Sequence, residues 1–201
     1  MDLVIALAVF CVVTLFTPGP NNVMLMTSGL NFGIRRGLPH LLGVTLGFTV
    51  MVLAIGLGLG AVFEAWPVAY TVLKYAGAAY LLYLAWQIAT SAPPSTENAS
   101  KGRPISFLQA VAFQWVNPKA WVMAVGAAST YAAIAPFPFN MFVIAAFFGV
   151  LGLASSGTWL GLGAALQHLL KNPRAVRIVN VVMALLLVAS LYPILADDIP
   201  L

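Results

Sequence analysis

Apolar runs long enough to cross a bilayer alternate with short polar interruptions along this chain. A spanning helix needs about twenty apolar residues. Six segments reach that length: residues 3 to about 31, 38–63, 67–90, 105 to about 131, 137–168 and 175–196. The pattern predicts an all-α polytopic membrane helix bundle. Between the third and fourth segments lies a polar stretch, SAPPSTENASKGRP, with two prolines in tandem. Its composition is that of a flexible linker. The expected organisation is one membrane domain: a three-helix unit over 1–90, a linker over 91–104 and a second three-helix unit over 105–201. The N-terminal segment reads as a span and not as a cleaved leader. Its only early charge is Asp2, and no small-x-small site precedes Thr17.

Composition sharpens this. The chain is 62% hydrophobic and 7% charged, where an ordinary soluble domain is about 25% charged. Nine basic and five acidic residues cannot cover a soluble surface, whereas lipid needs no such cover. The net charge of +4 is not a nucleic-acid signal, because seven of the nine basic residues cluster in interruptions on one side of a six-span layout. Arg35 and Arg36 follow segment one, Lys101 and Arg103 lie in the linker, and Lys171, Arg174 and Arg177 flank segments five and six. The alternate interruptions carry only Glu64, none at 132–136, and Asp197 with Asp198. The positive-inside rule makes the basic side cytoplasmic and puts both termini outside. The single cysteine, Cys11, excludes an internal disulfide and reads as packing.

Two segments are interrupted by proline. Segment one contains Thr17-Pro18-Gly19-Pro20-Asn21-Asn22, and segment four contains Asn117-Pro118-Lys119. Pro18 and Pro20 remove amide donors and free the carbonyls of Thr14 and Phe16; Gly19 permits the angles that close the gap. Asn21 or Asn22 is expected to cap the second half. Pro118 frees the Gln114 carbonyl and holds Asn117 out of helical geometry, leaving Lys119 in the first turn of a new half-helix. Segments two and five share a glycine pattern, Gly58-Leu59-Gly60-Ala61 and Gly161-Leu162-Gly163-Ala164. Two three-helix units entering from opposite sides form inverted repeats, and paired breaks in helices 1 and 4 point to a solute site near the midplane. Half-helix N-termini and a lysine suit a carboxylate, and half-helix C-termini suit an ammonium group. A zwitterionic amino acid offers both.

Each residue also has a plainer reading. Prolines kink many spanning helices without further consequence. Lys119 is harder to dismiss, since a mid-segment lysine costs about 3 kcal/mol on insertion scales. Lys74 can snorkel outward. His40 and His168 fall near cytoplasmic helix ends, where a structural role is ordinary. Ser155, Ser156 and Thr158 read as packing hydroxyls. The pairs Gly29/Gly33, Gly43/Gly47, Gly56/Gly60 and Gly157/Gly161 read as close helix contacts. No Asp or Glu falls inside a span, so no carboxylate proton relay is visible. No nucleophile, metal cluster or acid–base pair stands out either. The chain is therefore expected to be no enzyme and to need no cofactor or metal. A non-transporting scaffold would not need paired breaks.

At these motifs the chain resembles the lysine exporter/homoserine–threonine resistance family of bacterial amino-acid exporters. The resemblance rests on Thr17 to Asn22, on Gly33 with Arg35 to Gly37, on Gly77-Ala78-Ala79-Tyr80-Leu81 and on Asn117-Pro118-Lys119-Ala120. Residues 77–90 look most like the cysteine and O-acetylserine exporter branch. The resemblance implies efflux of a small amino acid or derivative across the cytoplasmic membrane: cysteine or O-acetylserine, homoserine or threonine, or a basic amino acid. The wider superfamily adds other solutes and metal ions as alternatives. The partners implied are the amino acid and the lipid bilayer, without nucleic acid, and a homo-oligomer is compatible with them. The site residues expected from the chemistry of the two breaks are Thr17, Pro18, Gly19, Pro20, Asn21, Asn22, Gln114, Asn117, Pro118 and Lys119.

Overall fold

The computed structural model describes residues 3–59, 67–91, 103–170 and 172–192, and these are helical throughout apart from turns and short connections. Helix α1 spans Leu3–Phe16 and α2 spans Pro20–Ala54, continued by a wide turn over Ile55–Leu59. Helix α3 spans Pro67–Ala89, α4 Phe107–Gln114 and α5 Pro118–Thr130. Helix α6 spans Phe139–Leu169 and α7 Pro173–Ala189. The expected breaks are present: α1 and α2 part at Thr17-Pro18-Gly19, and α4 and α5 part at Trp115-Val116-Asn117. Glu64, Lys101, Lys171, Asp197 and Asp198 lie outside the described residues, as do the side chains of Lys74 and His168.

Segments one and two are joined without a loop. Gly33, at φ 74° and ψ 176°, divides α2 into halves 20–32 and 34–54. A side chain is strained at that φ, so Gly33 is a turn residue and not the packing residue its spacing suggested. Arg35 and Arg36 then lie exposed in the first turn of the second half, where the Arg36 guanidinium sits 5.1 Å from the Phe32 ring centre.

Glycine brings the helices together. A Cβ on Gly29 would overlap the Leu160 carbonyl, and one on Gly163 would overlap the Met26 carbonyl, so α2 and α6 meet backbone to backbone. Gly43 and Gly47 admit α4 at Phe107, Ala110 and Val111 in the same way, and Gly56 admits Met141. Gly157 and Gly161 face open space, contrary to the expected contact. The glycine patterns of segments two and five do different work: Gly58 adopts φ 123° where the helix ends, and Gly161 lies in regular α6.

Two apolar clusters flank the breaks. One gathers Leu7, Cys11, Phe48, Met123, Ile144 and Phe148 from α1, α2, α5 and α6. The other gathers Met24, Leu81, Leu84, Phe113 and Leu187 from α2, α3, α4 and α7. Apolar side chains also cover the outside: Val13, Val50, Trp86, Val122, Val150 and Ile178 are exposed on six different helices. A soluble surface does not expose apolar residues so evenly; a lipid-facing one does. Pro20–Leu59 and Phe139–Gln167 are each long and apolar enough to cross a membrane. The half-helices at the breaks, such as α4 with 8 residues and α5 with 13, are too short to span singly.

Candidate functional site at the paired helix breaks

The first break is closed by partners from elsewhere. Gly19 has φ −174° and ψ 176°, an extended conformation open to any residue, so conformational freedom does not explain the glycine there. Its missing side chain does: a Cβ would lie 2.9 Å from Lys119 Cδ and 3.1 Å from Nζ. Pro20 takes the first position of α2, and neither Asn21 nor Asn22 caps that helix. Both already lie in its first turn, where side chains point back toward the N-terminus. Asn22 therefore caps the opposite end. Its Nδ2 donates to the carbonyls of Leu15 and Thr17, each at 2.8 Å. Ser155 Oγ donates to the Leu15 carbonyl at 2.8 Å. The Thr14 carbonyl accepts from Thr17 Oγ1 at 2.9 Å.

The second break is closed from within. The amides of Trp115, Val116 and Asn117 donate three residues back, to Ala112, Phe113 and Gln114. The Gln114 carbonyl is thus occupied, although Pro118 had freed it. Asn117, at φ −91° and ψ 108°, caps α5: its Oδ1 accepts from the Lys119 amide at 3.2 Å. The Trp121 indole donates to the Trp115 carbonyl at 2.9 Å.

Two side-chain contacts tie the breaks together. Asn21 Nδ2 donates to Gln114 Oε1 at 2.8 Å, and Gln114 Nε2 returns a bond to Asn21 Oδ1 at 3.1 Å. Lys119 Nζ donates to the Thr17 carbonyl at 2.8 Å and to Thr17 Oγ1 at 2.9 Å. The lysine thus occupies the C-terminal, electronegative end of α1. Its partner is Thr17, while the freed carbonyls of Thr14 and Gln114 accept from the Thr17 hydroxyl and the Asn117 amide.

A cavity opens beside these contacts. Gly19, Asn21, Asn22, Asn117 and Lys119 line it. Thr17, Pro18, Pro20, Gln114 and Pro118 do not; they shape the backbone or hold the residues that do. The far wall holds Thr45, Phe48, Met123, Phe148, Ser155 and Ser156, none of which the break motifs reveal. Ser155 and Ser156 pack against Leu15 and Thr45 of other helices and also border the cavity, while Thr158 is exposed and bonds the Ala154 carbonyl of its own helix. The room for water centres is about 40 Å³, or roughly three waters at ~10–15 Å³ each. Among the described residues, Lys119 is the only charged side chain on the lining.

A second polar cluster lies further along α2. Asn31 and Asn180 exchange two hydrogen bonds of 3.0 Å across α2 and α7. Ser28 Oγ and His40 Nδ1 are 2.8 Å apart across the Gly33 turn. All four residues are buried. The rule that could have found them is that a polar side chain buried in an apolar helix needs a partner.

A family model described as LysE type translocator matches residues 12–190. The chain is also similar to the cysteine/O-acetylserine efflux proteins of Escherichia coli (strain K12), Shigella flexneri and Shigella sonnei (strain Ss046). Each is 36% identical over 182 residues, which is 89% of this chain and 90% of the relative. No solved structure matches. With paired breaks, a cavity bordered by residues of both and a family match over nearly its whole length, the chain belongs to the LysE type translocators, a family of membrane transporters.

Proposed function

We propose that this translocator exports small, electrically neutral α-amino acids, of the cysteine and O-acetylserine kind, across the bacterial inner membrane. The observation that carries this reading is the cavity lining: among the described residues it holds one lysine and no acid, with amides, hydroxyls and apolar side chains beside them. A lone cation there favours a carboxylate ligand. A ligand with a cationic side chain would meet no opposite charge. The small size of the cavity and the names of the relatives support the same class. In this reading the chain crosses the membrane six times, as two inverted three-helix repeats over 1–90 and 105–201 joined by a cytoplasmic linker over 91–104. The ten residues named from the breaks form or support the binding site.

Counterflow in liposomes tests the function. Cysteine, O-acetylserine, homoserine, threonine and lysine are offered in turn to purified protein. Saturable exchange is expected for the small neutral amino acids and not for lysine. Absence of counterflow for every amino acid would overturn the reading. Lys119→Met should weaken binding at least tenfold, about 1.4 kcal/mol. A phosphatase reporter placed in the 91–104 linker should be inactive; an active reporter there would reverse the topology.

A further inference from the structure

We infer that Thr17 is the ammonium subsite, and that Lys119 occupies it until the ligand exchanges with it. This inference rests on the amino-acid reading and says how the site recognises that class.

The Thr17 carbonyl and hydroxyl present two oxygens to one cation, Lys119 Nζ, at 2.8 and 2.9 Å. The carbonyl belongs to the C-terminal end of α1, where helix partial charge is negative. Thr17 is exposed just beside the cavity, and Lys119, which lines the cavity, carries its ammonium group to it. The lysine arrives along the bare backbone of Gly19. The protein therefore contains a cation-binding position, filled by its own ammonium group.

Three kinds of ligand would fare differently. A carboxylate without an ammonium draws Lys119 away and leaves the Thr17 oxygens with fewer donors. An amine without a carboxylate competes with Lys119 for Thr17 and leaves the lysine without a counter-charge. A zwitterion does both tasks at once: its ammonium replaces Nζ on Thr17, and its carboxylate receives the displaced lysine. Charges and hydrogen bonds are conserved across the exchange. Thr17 is then a specificity-determining residue, and the tie between the two breaks passes from Lys119 to the ligand.

The test uses purified protein and three thiols of nearly equal size: cysteine, 3-mercaptopropionate, which lacks the amine, and cysteamine, which lacks the carboxylate. Binding is read by calorimetry under reducing conditions. Wild-type protein should bind cysteine at least tenfold more tightly than either half-ligand. Thr17→Val should weaken cysteine severalfold and strengthen 3-mercaptopropionate, because the lysine is held less firmly. Lys119→Met should weaken cysteine and strengthen cysteamine, because Thr17 is vacated. These opposite signs are the signature. Half-ligands binding as tightly as cysteine, or both ligands shifting in one direction in Thr17→Val, would overturn the exchange while leaving the amino-acid reading intact. Wild-type protein that binds no cysteine and exchanges no amino acid would overturn both. If Thr17→Val does not fold, the wild-type ratios and Thr17→Ser, expected to behave as wild type, decide the matter.

Discussion

The two breaks solve one problem in opposite ways. Each interrupts a membrane helix with proline, and each must find partners for the backbone groups left over. The break at Asn117-Pro118 draws most of them from its own neighbourhood: three amides turn back by three residues, Asn117 caps the new helix and Trp121 reaches the Trp115 carbonyl. The break at Pro18-Gly19-Pro20 relies on Asn22 across the gap, on Ser155 from α6 and on Lys119 from α5. A locally closed break keeps its shape whatever the rest of the bundle does. A break closed by other helices keeps its shape only while those helices stay in place. Of the two, the first break is the one whose geometry can follow a change in helix arrangement.

The largest test of this contrast is to heal the first break. Replacing Pro18 and Pro20 by alanine restores two amide donors to a helix that could run on from α1. Counterflow should fall to background while thermal stability in detergent is unchanged or raised. A double variant that transports normally would reduce the break to a kink. The next largest effect is expected of Asn22→Leu, which removes two hydrogen bonds at the end of α1. It should cost about 2 kcal/mol in unfolding and lower transport as well. Asn117→Ala removes a cap and should cost about 1 kcal/mol. Because that cap is local, a double-mutant cycle with Ser155→Ala, which shares no partner with Asn117, should show additive stabilities. Coupling between them would mean that the second break depends on the first. Ser155→Ala is the mildest, at about 0.5–1 kcal/mol, since the Leu15 carbonyl keeps Asn22.

How much of this was legible in the sequence follows the same division. Proline, glycine and capping residues act within a few positions of themselves, so both breaks fall where the residue types place them. Asn117 and Lys119 also take the local positions that Pro118 dictates. What a side chain meets on another helix depends on rotation and crossing, which composition does not encode. The Lys119–Thr17 contact, the Asn21–Gln114 exchange and the hydroxyls of Ser155 and Ser156 at the cavity all belong to that kind. So do Asn31 and Asn180, 149 residues apart. Gln114 was singled out for its carbonyl, whereas its side-chain amide makes the cross-break contact. The close glycines divide likewise: Gly29 packs as its spacing suggested, whereas Gly33 turns the chain and a side chain at Gly157 would meet open space.

The backbone contact at Gly29 and Gly163 also sets a dimension. With no side chains between them to compress or reorient, α2 and α6 have a fixed separation at that crossing. The same two helices carry Asn22 and Ser155, which face each other across the Leu15 carbonyl. This side of the cavity is therefore a rigid gauge, and enlarging the site by trimming its lining side chains would not widen it here. An exporter that accommodates bulkier cargo by this route would need a larger residue at position 29 or 163 before any change in the pocket itself.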